Sequence, residues 1–386
     1  MKKQYFYFFP FFFSLFLLWY GIDFLSFSIV DAKSIDKFPI LKNILNISFI
    51  LFGKNEFALR LPGVLTGFLS VILFINISNF YLKKNKDIFF ATFIFMMIPG
   101  FIISSLIINK SIYLVFLTLL FVYLYKKYKF VSYFYLFLLV FIDYSFISLF
   151  FALIFYSVYK KENLLLILSL IYLAINTLYF NYDIGGKPKG HFLDLFGTYF
   201  LIFSPFVFIY FLFSFYKGVF DKKKDIVFFI TFFAFIISII LSFRQRIKID
   251  DYAPFTLIYV IYMVKYFLNS YRVRLPKLRK NYKLLFIFLF LSLIIFDIAL
   301  FLNRYTPARN LSASYYFVRP LSVRLKNHNI KQIYCNEKFL CKALSFYGIQ
   351  TGNKFLIIYN RTKNTVSIFH KNTNILNIDV SKLNTL

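Results

Sequence analysis

The chain has 386 residues, of which 60% are hydrophobic and 24% aromatic, with a mean hydropathy of +0.70. A soluble domain is about half apolar, and a soluble fold of this length could not bury apolar residues that come in long blocks. The net charge of +29 comes from Lys and Arg in short clusters between those blocks, as the positive-inside rule requires. Composition therefore argues against a soluble enzyme and a nucleic-acid partner, and predicts a protein surrounded by membrane lipids.

The apolar blocks predict a mainly α fold, a polytopic transmembrane helical bundle, because about 20 apolar residues in a helix cross the hydrocarbon core. The first block has Asp23 as its only charge, and no small-residue cleavage site follows it. It is therefore predicted to be a retained helix rather than a signal peptide. About eleven spans are predicted, two of them short. The blocks lie at residues 5–25, 62–82, 88–108, 111–125, 130–142, 144–159, 163–180, 196–216, 225–243, 252–270 and 284–303.

Basic clusters in alternate loops predict the orientation of these spans. With the N-terminus in the cytoplasm, the clusters occupy the loops that follow the second, fourth, sixth, eighth and tenth spans. An odd number of spans then places the C-terminal segment outside, in the periplasm of a Gram-negative cell whose inner membrane holds the protein. Two domains are predicted: a transmembrane domain, residues 1–303, and a small periplasmic domain, residues 304–386.

The C-terminal segment is polar, with short alternating runs at residues 331–335 and 355–359 that predict strands. Residues 338–347 between them predict a helix that ends at Gly348, so this segment is expected to be a small α/β domain. Its Cys335 and Cys341 could form a disulfide in an oxidising compartment. The loop between the two cysteines would be tight, and a side chain on a strand would have to face one on a helix. The sequence therefore does not decide whether the disulfide forms.

The loop between the first and second spans, residues 22–60, is too long and too polar to be a simple turn. Within residues 40–52, apolar positions alternate with polar ones at helical spacing. That pattern suits an amphipathic helix lying in the membrane interface. Function is expected in this outer loop.

Two motifs in this region carry a resemblance to a known family. Asp36-Lys37-Phe38-Pro39 precedes the interfacial segment, and the letters GKNEFALRLPG follow it at residues 53–63. The order resembles that of the GT-C-type membrane glycosyltransferases, which include lipid A aminoarabinose transferases and protein O-mannosyltransferases. In that family an acidic-Lys-Pro-Pro motif, an interfacial helix, Phe-Gly-x-Asn-Glu and Arg-Leu-Pro follow one another. The resemblance covers roughly residues 36–120.

A second similarity lies at residues 244–254, just before a late apolar block. The family has Ser-x-x-Lys-Leu-Pro-His-Tyr there. Lys248 and Tyr252 keep that spacing, whereas Asp250 and Asp251 replace the Pro and the His.

The resemblance implies transfer of a sugar from a polyprenyl-phosphate-linked donor to a lipid or glycan acceptor at the outer membrane face, with inversion. A carboxylate must take the proton of the acceptor hydroxyl, and cations must stabilise the departing phosphate. No metal and no cofactor other than the donor substrate is implied. The candidate catalytic residues are Asp31 and Asp36, and the candidate donor-phosphate ligands are Lys37, Arg60, Arg246, Lys248 and Tyr252.

The sequence also departs from the family pattern. The Asp-Glu pair expected after the first span is missing, and Asp31 is preferred over Asp23, which lies near the membrane boundary, with Asp36 as a substitute. Lys110 stands where the fourth span of the family has an acid, and Asp143 begins the text that replaces a Lys-Gly-Pro break. These departures support an alternative, a catalytically degenerate relative that binds a lipid carrier or scaffolds envelope assembly.

Simpler interpretations exist for several candidates. Arg60 could only anchor a helix end at the interface, Arg246 and Lys248 could belong to an ordinary solvated loop, and His191 could be a surface residue. Three His and two Cys in the whole chain do not suffice for a Cys/His metal cluster. A transporter would need broken helices and paired charges inside the membrane, whereas the apolar blocks are nearly free of charge.

Overall fold

The computed structural model describes residues 5–181, 190–302, 315–360, 365–370 and 373–379. These residues are mostly helical, and every predicted apolar block coincides with one helix or with two consecutive helices. The helices are α1 Tyr5–Phe24, α2 Ile29–Lys37, α3 Pro39–Phe52, α4 Glu56–Tyr81, α5 Asn85–Met96, α6 Pro99–Leu106, α7 Ser111–Lys127, α8 Lys129–Val140, α9 Ile147–Lys160, α10 Asn163–Phe180, α11 Phe192–Phe203, α12 Pro205–Val219, α13 Ile226–Ser242, α14 Ala253–Leu257, α15 Val260–Val273, α16 Pro276–Phe301, α17 Val318–Asn327 and α18 Lys338–Phe346.

Several of these helices could span a membrane. Among the described residues, α4, α10 and α16 are individually long and apolar enough. Three bent pairs also qualify when each pair is taken together: α1 with α2, α5 with α6, and α11 with α12. The blocks predicted as the fourth to sixth spans form shorter helices of 17, 12 and 14 residues, below the ~20 residues of a full crossing. The count of eleven spans therefore stays a prediction.

The chain divides into two compact units. The first consists of residues up to Phe12, Leu65–Ser105 and Lys110–Asp297, and the second of Phe13–Val64, Leu106–Asn109 and Ile298–Leu386. The predicted outer loop and the C-terminal segment thus belong to the same unit. The division at residue 303 into separately folding domains stays a prediction.

The first unit has an aromatic core. In it α9 packs against α10 and α13, and α7 packs against α8 and α14. Phe121, Phe146, Phe150 and Tyr259 are among its largest fully buried side chains. Aromatic rings therefore fill the interior between helices, where they contribute both apolar area and edge-to-face contacts.

The bend between α11 and α12 shows how local sequence interrupts an apolar block. Ser204 has a φ of +66°, a backbone conformation that L residues seldom adopt. Pro205 follows at the first position of α12, where its missing N–H leaves no helical hydrogen bond unmade. The two helices meet at 104°, so the block predicted at residues 196–216 is not one straight helix.

The second unit contains the outer loop, folded as α2 and α3. Helix α3 confirms the helix predicted at residues 40–52. Its Leu41 and Leu45 are buried, whereas Ile47 and Ile50 are 59% and 82% exposed. An apolar face that stays exposed is typical of a helix at a membrane interface, and that placement stays a prediction.

The C-terminal part of the second unit confirms the predicted small sheet with a helix. Strand order is β1-β2-β3-β4, with β1 and β2 parallel and the other two pairs antiparallel. Helix α18 ends before Gly348, whose φ is +87°, a conformation that glycine adopts without strain. The strands are β1 Gln332–Cys335, β2 Gln350–Asn360, β3 Thr365–His370 and β4 Thr373–Asp379.

A disulfide joins Cys335 at the end of β1 to Cys341 in α18, with 5.7 Å between the Cα atoms. The question that the sequence left open is thus answered: the two side chains face each other. Helix α18 in turn packs against α2. The ring of Phe346 lies 5.1 Å from that of Phe27 and 6.1 Å from that of Phe49, so the C-terminal helix helps to hold the outer loop.

Candidate functional site

Arg60, near the start of α4, is buried, with only 1% of its surface exposed. Its Nη2 lies 3.4 Å from the Oδ2 of Asp31. Nη1 also donates to the carbonyl of Leu106 at 2.9 Å, and Nη2 to the carbonyl of Ser26 at 2.8 Å. In this conformation the guanidinium joins α4 to the backbone at Ser26 and at Leu106, so it does more than anchor a helix end.

Asp31 is enclosed on all sides, with 0% of its surface exposed. Its Oδ2 accepts from the backbone N–H of Ser28 at 3.1 Å, and its own N–H donates to the Ser28 hydroxyl at 2.9 Å, which forms a capping box at the start of α2. Its Oδ1 accepts from the N–H of Ile108 at 3.0 Å. A carboxylate held in this way fixes the loop, and it reaches a substrate hydroxyl only if these contacts open.

Glu56, at the first position of α4, is a residue that the site prediction missed. The Tyr347 hydroxyl donates to Glu56 Oε1 and accepts from the N–H of Phe27 at 2.7 Å. Within the described part of the chain, Glu56 Oε2 is buried and has no hydrogen-bond partner. Burial, and then the Glu56 carboxylate, raise the pKa of the Tyr347 phenol above its usual value. The Phe-Gly-x-Asn-Glu motif, which ends at this Glu, was the signal that could have identified it.

Two other outer-loop candidates lie at the surface. The Asp36 carboxylate forms an ion pair of 2.8 Å with Lys342 Nζ, and the two side chains are 47% and 37% exposed. Lys37 is also exposed, with its Nζ 5.0 Å from the centroid of the Phe38 ring. Asp36 and Lys37 are therefore accessible as they stand, whereas Asp31 and Arg60 are not.

The first unit holds a buried charge cluster, which we define as Lys110, Asp143 and Asp251. Lys110 Nζ lies 2.7 Å from Asp143 Oδ1 and 2.6 Å from Asp251 Oδ1, and these side chains are 7–9% exposed. One cation and two carboxylates give the ionised cluster a net charge of −1. Buried charges are costly unless they are paired and hydrogen-bonded, and here they are both.

Neighbouring polar groups complete the hydrogen bonds of the charge cluster. Lys110 donates to the Ser145 hydroxyl at 2.7 Å, and its Nζ lies 4.0 Å from the centroid of the Tyr144 ring. The Tyr144 hydroxyl donates to Asp251 Oδ2 at 2.5 Å. Asp143 caps the 3₁₀ turn Tyr144–Phe146 by accepting from the N–H of Ser145. The cluster is thus built by the turns next to α7, α9 and α14.

The remaining predicted phosphate ligands lie beside the charge cluster in sequence. Arg246 and Lys248 are exposed, and Tyr252, directly after Asp251, is 7% exposed. These residues belong to the first unit, whereas Lys37 and Arg60 belong to the second. The predicted convergence of Lys37 and Lys248 on one phosphate stays a prediction.

His191 interacts with Asp194 through Nδ1 at 3.2 Å, and the side chains are 29% and 63% exposed. This geometry fits the simpler interpretation of a surface histidine. Among the residues that the structure describes, no group of three or more His, Cys, Asp or Glu side chains could hold a metal ion. Residues 182–189 of the predicted outer loop before His191 lie outside the described residues.

Three of the residues that depart from the pattern implied by the resemblance meet in the charge cluster. Lys110 stands where the resemblance predicts an acid, Asp143 where it predicts the Lys-Gly-Pro break, and Asp251 where it predicts a His. Their charges are complementary at distances of 2.6 and 2.7 Å. Within the charge cluster, the opposite charges therefore compensate each other.

Comparison with known proteins gives no further assignment. No protein-family model matches the chain. Neither the curated proteins nor the solved structures contain a match.

Proposed function

We propose that this protein is a membrane glycosyltransferase that moves a sugar from a polyprenyl-phosphate-linked donor to a lipid or glycan acceptor. The observation that carries the proposal is the outer loop. The segment whose sequence resembles the GT-C-type enzymes folds as the helix α3, a turn with Gly53 at φ +77°, and the long apolar helix α4. That order of elements is the one that the resemblance implies.

The reaction needs a base and a cation near the donor phosphate. The base removes the proton of the acceptor hydroxyl, whose oxygen forms a bond to the anomeric carbon as the bond from that carbon to the phosphate oxygen breaks. The polyprenyl phosphate leaves, and cations stabilise its charge. In this proposal Asp36 serves as the base and Lys37 supplies a cation. Both side chains are exposed.

Asp31 and Arg60 would act in the same reaction through an exchange of partners. A donor phosphate is a stronger ligand for a guanidinium than a single carboxylate oxygen at 3.4 Å. A phosphate that takes Arg60 would remove one contact of the Asp31 carboxylate, and its contacts with the N–H groups of Ser28 and Ile108 would then have to open as well. In this proposal substrate binding, rather than the resting conformation, exposes the base.

We place the protein in an inner membrane with its N-terminus in the cytoplasm and the C-terminal sheet in the periplasm. The apolar helices α4, α10 and α16 support a membrane location. The disulfide between Cys335 and Cys341 supports an oxidising compartment for the second unit.

The test is transfer of a labelled sugar from polyprenyl-phosphate donors to membrane acceptors in vesicles that hold the purified protein. We expect transfer in the wild type and loss of at least about 100-fold when the base is replaced, which is the lower end for a general base. Asp31→Asn and Asp36→Asn are compared with Asp194→Asn, an exposed carboxylate on α11 that serves as the matched control. Equal rates in all three variants would remove both candidate bases.

The enclosed carboxylate of Asp31 favours one second candidate, a catalytically degenerate relative that binds a lipid carrier or scaffolds envelope assembly. Under that proposal Asp31 and Arg60 serve only to hold the loop. Donor binding without transfer for every donor tested, together with a purified protein that retains its folded melting transition, would select this alternative over the enzyme.

A further inference from the structure

Helices α12, α15 and α16 of the first unit form an apolar groove, which we name the α12/α16 groove. Phe206, Ile209 and Phe213 line it from α12 at intervals of three and four residues, so they share one helix face. Leu285 and Phe288 line it from α16. The cavity measures about 370 Å³, within the range of small-ligand pockets.

A second apolar cavity of about 50 Å³ lies beside the groove and reaches Leu293. Tyr210, Phe267 and Leu289 line both cavities. From Tyr282 at one end to Leu293 at the other, α16 advances about 16 Å at 1.5 Å per residue. That distance is close to half of the ~30 Å hydrocarbon core, the depth that one leaflet supplies.

The end of the groove near Tyr282 is polar and cationic. Lys217 Nζ donates to the Ser270 hydroxyl at 3.1 Å, and Arg274 Nη2 donates to the Tyr282 hydroxyl at 2.8 Å. Arg274 also lies over the Tyr282 ring, 4.7 Å from its centroid. Ser270 and Tyr282 themselves line the cavity, so the two cations are bonded to its rim rather than scattered in a loop.

The lining is exposed as well as apolar. Ile209, Phe213 and Phe288 are 56%, 59% and 50% exposed. A water-soluble ligand would need polar groups along the groove to fix its orientation. An aliphatic chain from the bilayer needs none, and an anionic headgroup needs the cations at one end.

We propose that the α12/α16 groove binds an anionic phospholipid, with an acyl chain between α12 and α16 and the phosphate beside Lys217 and Arg274. The positive-inside rule explains why basic residues occur in this region. It does not explain why two of them hydrogen-bond to residues at the rim of an apolar groove. The site is independent of the proposed glycosyltransferase reaction.

The experiment measures lipid binding to the full-length protein after delipidation in detergent, by native mass spectrometry and by the shift of the melting temperature. Phosphatidylglycerol is compared with phosphatidylcholine of the same acyl chains. We expect phosphatidylglycerol to bind roughly 30-fold more tightly, since each cation near a headgroup contributes about a fivefold effect. The preference should disappear in the double variant Lys217→Gln/Arg274→Gln.

The matched control is Lys160→Gln/Lys161→Gln, which removes two exposed cations of another predicted cytoplasmic loop. It should keep the full preference. A separate variant, Ile209→Trp, fills the groove without changing charge and should weaken both lipids. Equal binding of the two lipids by the wild type, or equal loss in the control, would overturn the proposal. Displacement of phosphatidylglycerol by polyprenyl phosphate at lower concentration would overturn the choice of occupant.

Discussion

Lys110 Nζ lies 2.6 Å from the Asp251 carboxylate, and the two side chains are 7% and 8% exposed. Lys110 is the N-cap residue of α7, whereas Asp251 is the last residue of the 3₁₀ turn Ile249–Asp251 that precedes α14. Because this ion pair is close and buried, removal of one partner destabilises the folded state: the other charge stays buried without compensation.

The first prediction concerns that imbalance. Lys110→Met should lower the free energy of unfolding by about 3–5 kcal/mol, the usual effect of breaking a buried ion pair. The two carboxylates of the charge cluster would then face each other without a cation. Thermal unfolding of the purified protein in detergent measures the loss.

Neutralising the whole charge cluster provides the control. The triple variant Lys110→Met/Asp143→Asn/Asp251→Asn leaves no charge in the cluster. We therefore expect it to regain most of the stability that the single variant loses. A single variant that melts with the wild type would show that the cluster is hydrated and contributes little.

The second prediction separates the structural role of Asp31 from a catalytic one. Asp31→Asn should destabilise the protein by about 3–5 kcal/mol, because Arg60 loses its buried counter-ion. Ser28→Ala removes the other half of the capping box and should cost about 1 kcal/mol. If Ser28→Ala keeps transfer activity while Asp31→Asn, tested below its own melting transition, has none, Asp31 takes part in the reaction. Parallel losses in both variants would assign it to the fold.

The third prediction tests the contact between Tyr347 and Glu56. Tyr347→Phe should lower stability by about 1–3 kcal/mol, since the Glu56 carboxylate loses a donor and the Phe27 N–H loses its acceptor. Tyr334→Phe is the matched control because that side chain is 59% exposed. Melting temperatures of the two variants would be compared, and an equal small effect would speak against the contact.

The fourth prediction is the pH dependence of the same contact. The pKa of Tyr347 is raised in the folded state by burial and by Glu56, so the unfolded chain releases this proton first as pH rises. The stabilisation is therefore complete below the unfolded pKa, about 10, and declines above it. The melting-temperature difference between wild type and Tyr347→Phe should stay constant from about pH 8 to about pH 9.5 and shrink above about pH 10.

The fifth prediction tests the orientation with the two native cysteines. Both are in the disulfide of the second unit, and the chain has no others. In spheroplasts, a membrane-impermeant maleimide should label the protein only after mild reduction. Labelling that requires disruption of the membrane would place the C-terminal sheet in the cytoplasm. A double variant Cys335→Ser/Cys341→Ser controls for other sites of reaction.

The helices were the part of the fold that sequence could predict. Long apolar blocks leave few alternatives, and amphipathic spacing alone predicts α3. The bends were not predicted, because the positive φ of Ser204 depends on tertiary packing rather than on the composition of its block. Whether each block crosses a membrane likewise depends on how neighbouring helices cover it.

The candidate site was harder to predict, for a physical reason that the residues make clear. Arg60 lies in a motif, and Asp31 was the candidate base in place of the missing Asp-Glu pair. Only the structure shows that the two contact each other and two backbone segments, one at Ser26–Ser28 and one at Leu106–Ile108. Glu56 lay within a recognised motif, yet its partner Tyr347 comes from the distant C-terminal helix region. Charge pairing of this kind depends on distances that the linear order does not contain, as the charge cluster also shows.

The packing of α18 against α2 has a consequence for the order of biogenesis. Because a chain is synthesised from its N-terminus, the residues of the outer loop leave the ribosome before those of α18. Until α18 has been synthesised, Phe27 and Phe49 therefore lack their contacts with Phe346. The packed form of the loop can therefore be completed only after α18 has been synthesised.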